Sequence, residues 1–438
     1  MPSRSDVLGR PALAVVLAAL WTISAPAADV PVHDPPALTL AECHRLALRQ
    51  SEELKLRSER IDQAEARVRQ ALGSVLPRLN LSASEFYQDT GGGSDAAAGS
   101  NLTRSERPEM RFTLRQPLFS GFREFAAMAS FKADRRKEEH LRDRASKLLF
   151  LDVARAFYLV VRIDKDMENL DAFTDLTRER VRELETRERL GKSRRSEILN
   201  AESQLETAQA QKAQLGGDRA AAAELLSFLT GIDAARAVLK DGLEEVAPFD
   251  SEEGFLARAG GRSDVRAQER EIESARQEVR LARGAFYPSA GFLGNYYAKR
   301  VGTQRNIDWD ALFSVDLPLF QGGTARALVR EAGSRLKESE LRLQELRRDI
   351  RREVREAARR VNASVAGSKR LRSAFEKAAE SYRLQVGEYR LGLVNNLEVL
   401  QVMNDMQDRK RDLDRALIES KVHWLELKTA AEDLPEAP

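Results

Sequence analysis

Chemistry in a protein chain starts with residues able to hold a metal, attack a carbonyl or cradle a phosphate, and this sequence offers few. Its four histidines, His33, His44, His140 and His423, sit at no metal-ligand spacing. The stretch GGGSDAAAG from Gly91 lacks the Gly-Lys-Ser/Thr that would make it a phosphate loop. The lone Cys43, in LAECHRLAL, has no partner for a disulfide within the chain and reads as a small buried hydrophobe. No Ser, His, Asp or Cys, His set stands out. The residues therefore predict no enzyme, no metal and no cofactor.

Charge narrows the function further. Charged residues make 32% of the 438, yet 71 basic side chains stand against 69 acidic ones, so no overall field draws the chain to nucleic acid. The local basic runs KADRRK and RRDIRRE lie among Glu and Asp at helical spacing and read as solvated helix faces. A hydrophobic content of 42% is enough for a large core or several small ones.

What the sequence does repeat is a turn. ERLGKSRRSEIL (Glu188 to Leu199) and YRLGLVNNLEVL (Tyr389 to Leu400) share Arg-Leu-Gly and then a Glu before two aliphatics. Each sits inside a long proline-free gap, from Pro117 to Pro248 and from Pro318 to Pro435. Apolar residues there step by three and four: Val153, Phe157, Val160, Ile163 and Met167, then Leu343, Leu346, Ile350, Val354, Ala357 and Val361. That is a narrow seam on a charged helix, and a helix of about 70 residues would reach on the order of 100 Å. Gly191 and Gly392 are able to take the left-handed conformation that ends a helix, so each gap predicts a hairpin of two long helices with the shared motif at its bend. Gly216 and Gly217 would weaken the first returning helix without ending it.

The repetition extends outward. RQPLFSGF (Arg115 to Phe122) matches DLPLFQGG (Asp316 to Gly323), and AEARVRQALGSVLP (Ala64 to Pro77) matches ARQEVRLARGAFYP (Ala275 to Pro288). The chain reads as a tandem duplication. The predicted division is an export signal at 1–27, a first repeat at 28–231, a connector at 232–262, a second repeat at 263–431 and a tail at 432–438. The signal rests on Arg4 and Arg10, the apolar run Ala12 to Ile23 and the small residues Ala25 and Ala27.

Before each Pro-Leu-Phe the apolar period switches to two. Met110, Phe112 and Leu114 alternate with Arg111, Thr113 and Arg115; Trp309, Ala311, Phe313, Val315 and Leu317 alternate with Asp310, Ser314 and Asp316, with Leu312 out of step. Leu79, Leu81, Ala83 and Ala290, Phe292, Gly294, Tyr296 behave alike. Four strands of roughly ten residues result, the length that crosses a bilayer when tilted. Over a third of the aromatics fall in these regions. Alternation alone admits either a half-buried soluble sheet or a membrane barrel, and the export signal with the long hairpins favours the barrel. Four strands do not close around a lumen, so several copies must share one; dimer, trimer and tetramer all satisfy closure.

The duplicated order of proline, strand, loop, strand, Pro-Leu-Phe and long hairpin with a Leu-Gly tip, preceded by LTLAECHRLALRQSEELK, resembles the TolC-type outer-membrane factors of Gram-negative bacteria. The expected fold class is mainly α with a transmembrane β-barrel portion: four strands per chain, and antiparallel helical hairpins forming a helical barrel through the periplasm. The resemblance implies a homotrimer in outer-membrane lipid, partnered by a periplasmic adaptor (membrane fusion) protein and an inner-membrane transporter. It assigns adaptor contact to the hairpin tips, here Leu190, Gly191, Leu391, Gly392 and Leu393, with Lys192 departing from the apolar Leu393. It also implies a pore constriction of acidic residues after the second tip. Glu398 falls on one such position; Gln401 falls on the next, where Asp is expected, which predicts a weaker charge barrier. The implied function is the exit duct of a tripartite efflux pump. A type I protein secretion duct is an alternative, and a non-channel periplasmic coiled-coil protein is another that leaves the strands unexplained.

Overall fold

The computed structural model describes residues 37–88, 106–249, 251–301 and 305–434. The predicted export signal, the glycine-rich loop at Gly91, part of the second inter-strand loop and the end of the tail lie outside them. In chain order, β1 (Ala37–Leu38) leads into α1 (Leu40–Gln50) and α2 (Glu52–Val75), then β2 (Arg78–Tyr87), β3 (Glu106–Ser120), α3 (Arg123–Arg189) and α4 (Arg195–Thr230). A connector carries β4 (Val238–Leu239) and α5 (Glu253–Ala259), and α6 (Ser263–Arg283), β5 (Ser289–Arg300), β6 (Trp309–Asp316), α7 (Thr324–Arg390) and α8 (Asn396–Ala430) follow.

The two proline-free gaps do hold very long helices. α3 and α7 have 67 residues each, begin 201 positions apart (123 and 324), and span about 100 Å. Each is followed by a long returning helix, as expected of a hairpin, but a shorter one: α4 has 36 residues and α8 has 35, so each covers about half of its long partner. An apolar seam left bare on the other half would be costly, and α2 and α6 cover it, packing on α3 and α7 next to the sheet. Laid out in contact order the helices form a row: α2 and α4 on one flank, then α3, then α6 and α8, then α7 on the other flank. α4 runs through Gly216 and Gly217 without a break.

The predicted seams are the core. Val153 and Phe157 of α3 pack with Cys43 and Ala47 of α1, Leu226 of α4 and Leu425 of α8. Ile350, Val354, Ala357 and Val361 of α7 pack with Phe255 of α5 and Leu427 of α8. Val160 and Ile163 are buried and Met167 packs beside them. The connector is tied down by features the sequence analysis did not foresee. β1 and β4 pair in parallel, and Asp241 accepts hydrogen bonds from the Tyr158 hydroxyl (2.9 Å) and Lys421 Nζ (2.7 Å).

β2, β3, β5 and β6 form one antiparallel sheet in that order, with β2 and β6 at its edges. β3 is interrupted by register shifts at Met110/Arg111 and Pro117/Phe119, the second lying beside Pro117, one of its two prolines, at the kind of irregularity where a strand tolerates a residue with no N–H to donate. Among the described residues no layer covers this sheet. Every residue of β2 is exposed, and among the four strands only Tyr297 is buried. A half-buried sheet on a soluble core is therefore not what the chain builds. Among the described residues no helix is long and apolar enough to cross a membrane.

Candidate functional site

At the far end of each hairpin the backbone closes the same way. Lys192 N–H donates to Arg187 O (2.8 Å) and Gly191 N–H to Glu188 O (2.8 Å); Leu393 N–H donates to Glu388 O (3.0 Å) and Gly392 N–H to Tyr389 O (3.1 Å). This pair of bonds is the Schellman closure, which needs a left-handed residue, and Gly191 and Gly392 supply it with φ of 70° and 77°. No neighbour lies near enough to obstruct a Cβ at either glycine, so the requirement is purely one of backbone conformation. Leu190, Leu391 and Leu393 are 66%, 77% and 72% exposed. The two tips lie side by side, because Arg180 and Arg187 of α3 place their guanidinium groups 3.9 and 4.4 Å from the centre of the Tyr389 ring on α7.

Glu398, expected to line a constriction, is half-buried in the first turn of α8. Its amide donates to Asn395 Oδ1 (3.1 Å) and its Oε1 accepts from Asn395 Nδ2 (2.7 Å), a reciprocal cap on the helix start. Glu197 has a related contact, accepting from Ser193 Oγ at 2.7 Å. The shared Glu of the two turns thus has a local partner in each, and at the second turn the Asn-x-x-Glu spacing announces the cap that orients the Glu398 carboxylate. Gln401 is exposed one turn on.

Between the hairpins, where α3 meets α8, lies a buried polar ladder that apolar periodicity did not reveal. Arg415 donates Nε and Nη2 to the buried Asp166 carboxylate at 2.8–3.0 Å. Asn169 Nδ2 donates to Asp414 Oδ2 (2.7 Å), Lys410 Nζ to Asp414 Oδ1 (2.9 Å), and Gln407 Nε2 to Asn169 O (2.7 Å). Nearer the tips, the buried Arg180 donates to Asn396 Oδ1 (2.9 Å) and Glu183 Oε2 (2.7 Å). Buried charge without partners would cost several kcal/mol, and here each finds one. The signal was present: Asp166, Asn169, Thr177 and Arg180 fall on the three-and-four stripe that carries apolar residues higher up the helix. Beside this ladder a groove of about 520 Å³ opens between α4 and α8, with Phe173 of α3 in its floor and Gln204, Gln211 and Gln407 in its walls.

The sheet separates its two faces by chemistry. Because cross-strand partners share a face, Leu79, Leu114 and Gly294 lie with Ala311, and Leu81, Phe112 and Tyr296 lie with Trp309. On the opposite face Asn80, Thr113, Asn295 and Asp310 form one row. Thr113 Oγ1 donates to Asn295 Oδ1 (2.9 Å), and Asn295 Nδ2 and the Tyr297 hydroxyl donate to Asp310 at 2.8 Å each. The out-of-step Leu312 lands on this polar face, opposite Leu293.

The sheet thus has one greasy and one hydrophilic face and is carried on paired helical hairpins. The sequence profile described as outer membrane efflux protein covers residues 44–232 and 259–430. The chain belongs to this family.

As an outer membrane efflux protein it is a non-enzymatic channel component placed in the outer membrane. It is 21% identical to the outer membrane protein TolC of Vibrio cholerae, over 91% of this chain and 92% of TolC. It is 25% identical to the alkaline protease secretion protein AprF of Pseudomonas aeruginosa, over 92% and 86%. Its fold superposes on the outer membrane protein VceC of Vibrio cholerae with a TM-score of 0.74 at 20% identity, covering 90% of this chain and 95% of VceC. Among the described residues no cluster of His, Cys, Asp and Glu is arranged to hold a metal ion.

Proposed function

We propose that this chain is one wall segment of a homotrimeric channel-tunnel, the exit duct of a tripartite pump built with a periplasmic adaptor and an inner-membrane transporter. The sheet carries this reading. In hydrocarbon each unpaired backbone group costs several kcal/mol, so the bare edges of β2 and β6 require neighbours. Pairing β6 of one copy with β2 of the next closes a barrel whose apolar face meets lipid and whose row Asn80, Thr113, Asn295 and Asp310 faces water. The same closure sets the flank made by α7 beside the flank made by α2 and α4, continuing the barrel as a helical tube. The exposed leucines of the tips, with Gly191 and Gly392 holding the turns, offer the adaptor an apolar end. Glu398 and Gln401 line the periplasmic constriction, and with Gln401 neutral the charge barrier is a single acidic ring.

The deciding measurement is native mass in detergent together with single-channel recording in planar bilayers. Three mature chains and stepwise conductance are expected; a lone subunit in lipid or detergent would overturn the proposal. Glu398→Ala should alter cation selectivity, and unaltered selectivity removes the ring. A protein cargo is a second reading, favoured by the likeness to AprF, whose name describes alkaline protease secretion. Identifying the transporter co-purified with the native complex separates the two.

A further inference from the structure

The repeat that built the chain twice also provides a template for how one copy meets the next. Inside the chain, α6 lies between α3 and α7. On the α3 side of that joint Ala126, Ser130 and Ala133 are buried, Ser130 Oγ sits 2.9 Å from Ser274 Oγ, and Lys137 Nζ donates to Glu271 Oε2 at 2.7 Å. The positions 201 further on, along α7, are Ala327, Glu331, Ser334 and Glu338, and all are exposed. Among the described residues α7 is packed by α6, α8 and α5, and its remaining flank is open. By the match of Ala64–Pro77 to Ala275–Pro288, the α6 positions Ala267, Glu271 and Ser274 correspond on α2 to Leu56, Arg60 and Gln63. These too are exposed, although Leu54 and Ala64 on the other side of α2 are buried just as Val265 and Ala275 are on α6.

The charges at the two joints are opposite in sign. Within the chain a basic residue of the long helix, Lys137, meets an acidic residue of the short one, Glu271. At the open flanks the long helix carries Glu331 and Glu338, each bridged one turn on within α7 to Arg335 (2.6 Å) and Arg342 (2.5 Å), and the short one carries Arg60, which offers Glu338 a second cation from the neighbouring copy. Two leucines left 51% and 58% exposed, Leu341 on α7 and Leu56 on α2, border the same stripes. We infer that α7 of one copy seats on α2 of the next in the register that α3 and α6 adopt within the chain, with Glu338 against Arg60 and Glu331 against Gln63. The reversal of sign makes this joint selective. Docking α7 against an α6 of another copy would set Glu338 against Glu271, and docking α2 against a foreign α3 would set Arg60 against Lys137, both like-charged.

Lower down, the same template separates the two joints in strength. The α3–α8 ladder of Asp166 with Arg415 and Asn169 with Asp414 maps onto Gly367 with Gln214 and Arg370 with Ala213 at the α7–α4 joint between copies. Neither of these is an ion pair. The two hairpins of one chain are therefore tied as a unit, and the joint between copies relies on its upper, sheet-proximal half.

This inference rests on the closed-ring reading above, and the experiment keeps the two apart. In the full-length protein, Glu331→Cys combined with Gln63→Cys should cross-link between chains on mild oxidation, giving dimer and trimer bands. Ser130→Cys with Ser274→Cys should cross-link within one chain and leave monomer mobility. The native Cys43 is fully buried and does not compete. Glu338→Arg and Arg60→Glu should each lower the temperature at which the oligomer dissociates, and the double variant should restore it. If native mass still reports three chains but the inter-chain cross-link is absent and the double reversal fails to rescue, the register is wrong and the ring stands. If native mass reports one chain, the ring itself is lost and this joint with it.

Discussion

At the scale of single residues, three glycines and two neighbouring side chains of α1 make the sharpest expectations. Gly191 and Gly392 hold left-handed φ with open space around them, so alanine there should cost roughly 1 kcal/mol through backbone strain alone. Gly216 also has room for a Cβ but sits in the interior of α4, and Gly216→Ala should stabilise by roughly 0.5–1 kcal/mol. Thermal melts followed by helical circular dichroism would give opposite signs for the two classes if the tips are as described. His44 stacks edge-on against Phe150 at 5.0 Å, and burial, then the nearby Lys147, hold its imidazole below the ordinary value. A histidine whose pKa is lower folded than unfolded adds stability that is fully present above the unfolded value of about 6.5 and is lost as pH falls from there through the lower folded value. The melting midpoint should therefore fall between pH 7.5 and pH 5, and His44→Gln should flatten that dependence; an equal fall in both proteins would assign it elsewhere. Burial pushes the Cys43 thiol up to about 11, so it should resist thiol reagents at pH 8 until the chain unfolds.

Among elements, the contrast lies between the faces of the sheet and within the seam between hairpins. Phe112 and Thr113 are adjacent on β3 yet point to opposite faces. An arginine at position 112 should cost roughly 2–4 kcal/mol of insertion or assembly near the bilayer midplane, whereas one at position 113 should be tolerated. Heat-modifiable migration of membrane fractions would report both, and equal defects would argue against an apolar outer face. The seam between hairpins combines apolar contacts of α3 and α8 with the hydrogen-bonded ladder, and Arg415→Ala should leave Asp166 buried without its cation. Arg415 is itself partly exposed, which lets water reach the vacated site and keeps the expected loss to about 1–3 kcal/mol. The polar ladder also explains a limit of periodicity: in α3 the stripe runs through Ile163, Asp166, Leu170 and Phe173, and a pattern search that counts only apolar residues fades where the ladder begins.

For the molecule as a whole, docking and conduction should separate. Leu391→Asp with Leu393→Asp alters exposed tip residues remote from the sheet, so bilayer conductance should persist while transport in cells is lost. Loss of conductance as well would mean the tips help hold the duct itself. Much of this architecture was legible in the residues. Proline-free gaps with a three-and-four stripe allow little besides long helices, a Leu-Gly bend makes them hairpins, and period two before each Pro-Leu-Phe makes strands, because local sterics and the need to bury one stripe or one face act within a few residues of the chain. The half-length of α4 and α8, with α2 and α6 filling the remainder, was not legible. Neither were the pairing of β1 with β4 nor the partners of Asp166 and Arg180. Those depend on which distant segments come side by side, and a polar residue on a helical stripe reads the same whether it meets water or a buried arginine until the neighbouring helix is in place.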